Sequence, residues 1–442
     1  MKHIVKLIIV IKMLSLTYAQ SIGEEKFSLY GYLVDFYNIT IAVNDDKVTD
    51  KNYGNILYFR LKGDWNPEKD ISFHAEATYQ NAVGNMNPYV LMGSYGLSLI
   101  DQTTYPLENF QESFTLDHVW GSVSFGQIDL QFGKMPLGWG TGYVFNPTAR
   151  AGAMPFLEMV AEETPGTVAV APSISILNEL GLTAYAAFQD KTHKANAFRE
   201  DGHWKNMPYG VKVQGIIGSF DLSLSWIKEL YYDSFAEQMA IQAGMADLIP
   251  RSTYYIRSYY IGLDFAGAIW DFGVYGEGVL NLPRDNKDKQ FNFEKFKDKD
   301  IDEFIEVCVG FDYQIPVIEV DFRTEYYHQG RGEVEKNKYD ITKQLSGEVL
   351  VQAEDYLFAF LEKTFFTYLS ISSGSIINLN DSSYAVFPII AYDVYNNFQI
   401  SAGCFLMAGG KKTEFNGEYD IPGLGSIDVT EPQIYIRGKL SF

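Results

Sequence analysis

The sequence predicts an all-β fold: a transmembrane antiparallel up-and-down barrel of about 18 strands, with about 16 as the competing count, and a loop folded into its interior. Three observations carry that expectation. Segments about ten residues long alternate apolar and polar side chains, which puts the two kinds on opposite faces of a strand. Short and long connections alternate between those segments, as in membrane barrels. The chain of 442 residues is also rich in residues that suit twisted strands and aromatic girdles, with 31 Tyr, 31 Phe and 38 Gly. Mean hydropathy is −0.10. Beyond the N-terminus no run of about 18 apolar residues occurs, so no transmembrane helix is expected.

Residues 1–19 read as a secretory signal peptide and 20–442 as one barrel domain. Lys2, His3 and Lys6 make a basic start, residues 7–10 are apolar, and Thr17-Tyr18-Ala19 offers a cleavage site before Gln20. No Cys follows the apolar stretch, so a lipid anchor is not expected. The net charge of −21 argues against a nucleic-acid partner. The two cysteines face apart. Cys308 shares the polar face of its strand with Glu306 and Asp312, whereas Cys404 is in phase with Phe398, Ile400, Ala402 and Leu406, so no disulfide is expected.

Residues 27–38 open the strand series, apolar on both faces and without a legible register. Residues 43–53 (VNDDKVTDKNY) read as a polar loop. In 55–65, Leu57, Phe59 and Leu61 oppose Tyr58, Arg60, Lys62 and Asp64, and Asn66-Pro67 begins a tight turn. In 71–80, Ile71, Phe73, Ala75, Ala77 and Tyr79 oppose Ser72, His74, Glu76, Thr78 and Gln80. Residues 81–113 lack a period and read as a large loop with a short helix near 91–100. A hairpin turning at Gly126-Gln127 follows. Further short turns are expected near 177–180, 218–219, 266–268, 315–316, 362–363 and 395–397. Longer connections are expected at 190–206, 231–253, 283–301, 329–347 and 408–430. An even strand count puts both termini at the short-turn end.

The polar faces define the expected interior. Within 317–328, Glu319, Asp321, Arg323 and Glu325 form a charged row opposite Ile318, Val320, Phe322 and Tyr326. Arg60, Lys62, Glu76, Lys212, Asp271, Glu277, Glu306, Asp312, Arg437 and Lys439 are assigned to the same lumen. Water there solvates charges that a dry core would have to pair. The acidic excess favours weak cation preference, which the lumenal bases are able to reverse locally.

Residues 133–148 (GKMPLGWGTGYVFNPT) set Gly138, Gly140 and Gly142 at every second position, so that a strand bends there or another backbone comes close. The spacing is not that of a phosphate-binding loop. Gly133-Lys134, then Trp139-Gly140 with Gly142, then Asn146-Pro147-Thr148 resembles a pattern of porin-like Gram-negative outer-membrane proteins, including the alginate-export-like and related monomeric porin families. The last strand, residues 431–442 (EPQIYIRGKLSF), sets Ile434, Ile436, Leu440 and Phe442 against Tyr435, Arg437, Lys439 and Ser441. It resembles the closing strand of outer-membrane barrels, where a terminal Phe, here Phe442, belongs to the assembly signal. The resemblance implies an outer-membrane location, contact with membrane lipids and the barrel assembly machinery, and passive diffusion of small hydrophilic solutes. It implies no enzymatic activity and no cofactor. A substrate-specific barrel for an anionic oligosaccharide or a hydrophobic compound, and a structural or adhesive surface barrel, are the alternatives.

Residues 149–166 (ARAGAMPFLEMVAEETPG) are too apolar for a solvated surface loop. They are expected to enter the barrel as a constriction, with Arg150, Glu158, Glu162 and Glu163 toward the opening; packing among the outer loops is the alternative. Catalytic signatures are missing. The six His lack zincin spacing, the cysteines form no zinc cluster, and no metal ligand is expected. There is no G-x-S-x-G elbow. Asp117-His118 with Asp45-Asp46 distantly resembles the acid–His arrangement of outer-membrane proteases, at different spacing. Asp298, Asp300, Asp302 and Glu303 read as a solvated acidic loop rather than a cation site. The tyrosine pairs at 231–232, 254–255, 259–260 and 326–327 are expected in interfacial girdles, with sugar stacking inside the lumen as the alternative.

Overall fold

A computed structural model of the chain describes residues 26–44, 47–84, 111–150, 166–177, 179–188, 207–245, 248–249, 254–282, 304–346, 349–416, 418–421, 425–428 and 432–442. The expected signal peptide and the expected helix near 91–100 lie outside those residues. The strands are β1 (Phe27–Asn44), β2 (Lys47–Glu68), β3 (Ile71–Gly84), β4 (Gln111–Phe125), β5 (Ile128–Met135), β6 (Thr167–Leu177), β7 (Leu180–Ala187), β8 (Tyr209–Ile217), β9 (Phe220–Tyr232), β10 (Tyr255–Ile269), β11 (Phe272–Leu282), β12 (Ile305–Ile315), β13 (Val320–Gln329), β14 (Asp355–Phe365), β15 (Leu369–Asn378), β16 (Tyr384–Tyr395), β17 (Phe398–Ala408), β18 (Glu418–Ile421), β19 (Gly425–Asp428) and β20 (Gln433–Ser441). Among the described residues two α-helices, α1 (Ser234–Gln242) and α2 (Ile341–Ser346), interrupt connections that the sequence reads only as polar. Asp233 caps α1 by accepting the Ala236 N–H at 2.9 Å.

β1 to β17 pair antiparallel in chain order, and β20 pairs with both β17 and β1, which closes 18 strands into a barrel without an open edge. The terminal strand meets the first as expected, from Tyr32 opposite Ser441 to Thr40 opposite Gln433. β18 and β19 form a separate hairpin within the connection from β17 to β20.

Alternation decides what each face meets. Leu224, Leu263, Val309, Leu361, Ile390 and Ile436 are exposed on the outside of the barrel. Phe125, Trp270, Phe366 and Tyr395 are exposed near its short-turn rim. An apolar surface this extensive is one that water disfavours and lipid accepts. Among the described residues no helix is long and apolar enough to cross a membrane. Adjacent tyrosines cannot share a face, which corrects the girdle assignment for the pairs: Tyr326 is exposed outside while Tyr327 is buried inside, and Tyr260 is also buried inside. Cys308 is buried in the lumen and Cys404 is on the outer face, both as free thiols.

Several boundaries differ from the sequence expectation. Residues 43–53 are not a loop: Ala42 pairs with Asp50 and Asn44 with Lys47, extending the first hairpin. Above an apolar belt both faces of a hairpin meet water, so alternation vanishes while pairing continues. The turn expected at 266–268 lies at Trp270-Asp271, because Gly267 stays in the ladder opposite both Phe220 and Val274. Glu362 and Lys363 likewise remain paired, and Lys363 donates to the Ile318 carbonyl in a neighbouring turn. The connection from β15 to β16 is short, at residues 379–383, so the long-connection end is not uniformly long.

The interior is also drier than the polar faces imply. Phe358, Ile376, Phe387 and Phe405 on β14 to β17 pack with Phe145, Tyr327 and Tyr356 into one buried cluster inside the barrel. Val351, Ala353 and Phe415, from the connections at the long-connection end, join it.

Candidate functional site

The chain leaves β5 at Met135 and turns into the barrel. Residues 136–150 form neither strand nor helix, so the extended run expected over 133–148 ends at 135. A segment without a ladder must satisfy its backbone N–H groups elsewhere. Here carboxylates on the opposite wall do so. Glu277 on β11 accepts from the backbone N–H of Thr141 (3.0 Å), Gly142 (2.7 Å) and Thr148 (2.9 Å), and from the Thr148 hydroxyl (2.5 Å). Glu325 on β13 accepts from the N–H of Tyr143, from Val144 at 2.9 Å and from Phe145 at 3.2 Å, with the Tyr275 hydroxyl at 2.9 Å. Successive amides aimed at an anion form a nest, and the barrel fills it with its own side chains.

Two of the three glycines are required there. Gly140 has φ of +106°, and a Cβ would lie 2.6 Å from a Glu277 oxygen. A Cβ on Gly142 would collide with the Phe145 carbonyl, whereas one on Gly138 would meet nothing. Aromatic contacts complete the anchorage. Phe145 is fully buried and stacks on Tyr327 at 4.4 Å, and the Arg323 guanidinium lies 4.1 Å from the centre of the Tyr143 ring. Trp139 meets Tyr185 edge-on at 4.9 Å.

Arg150 ends the described part of the segment. It pairs with Glu306 on β12, donates to the Pro147 carbonyl at 2.6 Å, and stacks over Tyr260 at 4.7 Å. Burial favours its neutral form, but Glu306 beside it outweighs this and raises its pKa, so it remains charged. Glu277, Glu306 and Glu325 therefore make a staggered group of acids on three consecutive strands, each bound by the entering segment. Buried and compensated in this way, they are structural anchors rather than free lumenal charges.

The other expected lumen residues fall into distinct groups. Lys212 on β8 lies 3.3 Å from Asp264 on β10. Both border a cavity of about 440 Å³ between the entering segment and β6 to β10, together with Thr141, Gln214 and Ser223. Across the barrel, fully buried Arg60 pairs with Asp117 and lies 3.3 Å from Glu76, with Lys62 3.7 Å from the other Glu76 oxygen. Lys439 on β20 and Lys62 on β2 flank the Tyr32 ring at 4.9 and 5.9 Å, and Arg437 shares the inner face of β20 with Tyr435. Asp117 and His118 face different partners, Arg60 and Glu76.

Some expectations are corrected. Asp321 stays on the face of Arg323 and Glu325 but is exposed near the short-turn rim. Glu319 leaves the charged row: it is an exposed turn residue with φ of +52°, before β13 begins. Asp271 is likewise exposed in a turn. Glu158, Glu162 and Glu163, together with Asp45-Asp46 and the 298–303 acids, lie outside the described residues. Phe442 exchanges backbone hydrogen bonds with Gly31 at 2.9 and 3.0 Å and stacks against Phe59 on the outer face.

A second polar centre caps the apolar cluster. Glu414 accepts from the Gln352 N–H at 3.0 Å, from Asn378 at 2.8 Å and from the Tyr356 hydroxyl, while its own N–H donates to Asp381 at 2.8 Å. Burial pushes the Glu414 carboxyl up to about 7, despite those hydrogen bonds. Sequence reasoning missed Glu414, as it missed the anchoring role of Glu277. The available signal was a glycine-rich run whose amides had no strand to pair with.

No protein-family model matches the chain, and no curated protein matches it. Among solved structures it is similar to Pseudomonas aeruginosa OpdQ, with 11% identity, a TM-score of 0.49 and coverage of 96% of this chain and 99% of that one. A Rh. blastica porin variant aligns with 10% identity and a TM-score of 0.41, covering 94% of this chain and 100% of that one. Salmonella typhi OmpF in complex with daunomycin aligns with 8% identity and a TM-score of 0.41, covering 94% and 97%. The architecture rests on this chain's own strand pairing: it is a closed, antiparallel, 18-stranded β-barrel entered by a segment after β5.

Proposed function

We propose that this chain is an outer-membrane channel for passive diffusion of small hydrophilic solutes. The observation that carries the reading is the segment 136–150, which crosses the barrel and is fastened to the far wall by Glu277, Glu306 and Glu325. A barrel of this strand number is wide, and a fastened inward segment narrows it without sealing it by a separate domain. The outer apolar face supplies the membrane contact. Charged side chains along the remaining wall bias which ions dwell in the passage. Residues 158–163, with Glu158, Glu162 and Glu163, continue the constriction in this reading, and the acidic excess makes the passage weakly cation-selective.

A second reading has its own observation. Lys62 and Lys439 flank the inward ring of Tyr32, with Arg437 on the same inner face of β20 as Lys439, a combination suited to an anionic oligosaccharide. Planar-bilayer recording of the refolded protein under a salt gradient separates the possibilities. Steady conductance with a reversal potential on the cation side supports the diffusion channel. Anion selectivity with block by an acidic oligosaccharide supports the specific barrel. Absence of pores from folded protein refutes both and leaves a structural or adhesive role.

A further inference from the structure

The register of β3 and β4 contains an irregularity that neither channel reading uses. Glu76 pairs with His118 and Ala77 with Leu116, leaving Asp117 as an extra residue on β4. Such a bulge lets consecutive side chains leave strict alternation. Phe114, Leu116 and Val119 are exposed outside, while Asp117 and His118 both turn inward, to Arg60 and Glu76. His118 thereby joins His74 and Glu76, which already share the lumenal face of β3.

We propose that His74, Glu76 and His118 form a lumenal site for a divalent transition-metal ion, with Zn²⁺ the best match, and that Asp64 orients His74 within it. The donor atoms of the three residues lie within 4.8 Å of one another. Glu76 Oε1 is 2.6 Å from His74 Nε2 and 3.2 Å from His118 Nδ1. Two imidazole nitrogens and a carboxylate oxygen are a donor set that zinc accepts, leaving a further position for water or a solute atom.

The surroundings fit the same ion. His74 Nδ1 lies 2.6 Å from Asp64 Oδ1, so the ring donates there and turns Nε2 toward Glu76, the carboxylate–histidine arrangement that positions metal ligands. The His74 ring stacks on Trp120 at 5.2 Å, which fixes its plane. Arg60, 3.3 Å from Glu76 Oε2, holds that carboxylate with Oε1 toward the histidines. Arg60 and Lys62 lie against Glu76 and Asp117, while Asp64 adds a third carboxylate beside His74, a setting that accommodates an added cation. About a tenth of the His74 side chain remains exposed, leaving an approach from the barrel interior.

The test is metal binding to the full chain, folded in detergent, and it stands apart from conduction. Zn²⁺ titrated against a chromogenic chelator is expected to show one ion taken up per chain. His118→Ala and His74→Ala are each expected to abolish that uptake, and Asp64→Asn to weaken it about 10- to 100-fold. His328→Ala, on β13 beside Asp355, is expected to leave it unchanged. Heat-modifiable gel mobility verifies that each variant has closed its barrel. X-ray absorption of zinc bound to the unaltered protein, which needs no variant, is expected to show imidazole and oxygen scattering. Absence of stoichiometric uptake, uptake by the two histidine variants undiminished from that of the unaltered protein, or a spectrum without imidazole overturns the site and leaves a hydrogen-bonded proton cluster. Unchanged affinity in Asp64→Asn overturns its orienting role.

Discussion

Replacing Glu325 by Ala removes the acceptor that holds residues 143–145 against β13. Three backbone N–H groups and the Tyr275 hydroxyl lose their partner together. Hydrogen bonds to a charged group contribute about 1.5–3 kcal/mol each, and a buried donor left unpaired costs about 1–3 kcal/mol. These contributions share one carboxylate and do not add in full. The Glu277 contacts and the Phe145–Tyr327 stack remain and resist release. A net loss of about 3 kcal/mol lowers the ratio of fastened to released segment roughly a hundredfold. Single-channel recording in planar bilayers is expected to show higher mean conductance and more open-channel noise. Glu325→Gln, which keeps shape and one carbonyl acceptor, is expected to fall between the two. Glu319→Ala, in the exposed turn, serves as the silent control. A Glu325→Ala barrel that folds normally, with conductance and noise equal to the unaltered protein, would refute the idea that this carboxylate fastens a constriction.

Other outcomes follow from the same contacts. Because the Glu414 pKa is raised above its unfolded value, its contribution to the cap is fully present at low pH and is lost as pH rises through about 7. Amide hydrogen exchange at Gln352, corrected for intrinsic rates, is therefore expected to lose protection between pH 5 and 8 (roughly the interval between the two pKa values and just above them), and Glu414→Gln is expected to abolish that dependence. A raise of this size corresponds to at most about 3 kcal/mol at pH 8. Arg150→Ala strands Glu306 inside the barrel and is expected to destabilise the fold by about 3–5 kcal/mol, read as a lower unfolding temperature in detergent. Deleting Phe442 removes its backbone pairing with Gly31 and its ring from Phe59. The yield of heat-modifiable barrel is expected to fall, while barrels that do assemble conduct normally.

Local alternation determined much of this protein from sequence alone. Ile434, Ile436, Tyr435 and Arg437 fall on opposite faces because a strand reverses its side chains at every residue, and no distant information is needed for that. The same rule placed Glu76, Lys212, Arg323 and Lys439 on inner faces. It fails where chemistry does not alternate. The first hairpin continues through polar residues 43–53, and Asp117-His118 breaks phase at a bulge that only the pairing with β3 reveals.

The tertiary structure decided which polar residues meet. Glu277, Glu306 and Glu325 each read from sequence as one more inward acid. Their common role depends on residues 141–150 reaching them across the barrel, over separations of more than a hundred positions. Gly140 shows the division within one residue. Its presence in a glycine-rich run is local, but the carboxylate that forbids a side chain there belongs to the opposite wall. Hydrogen-bond demand from an unpaired backbone is a property of the segment, whereas the partner that meets it is chosen by barrel closure.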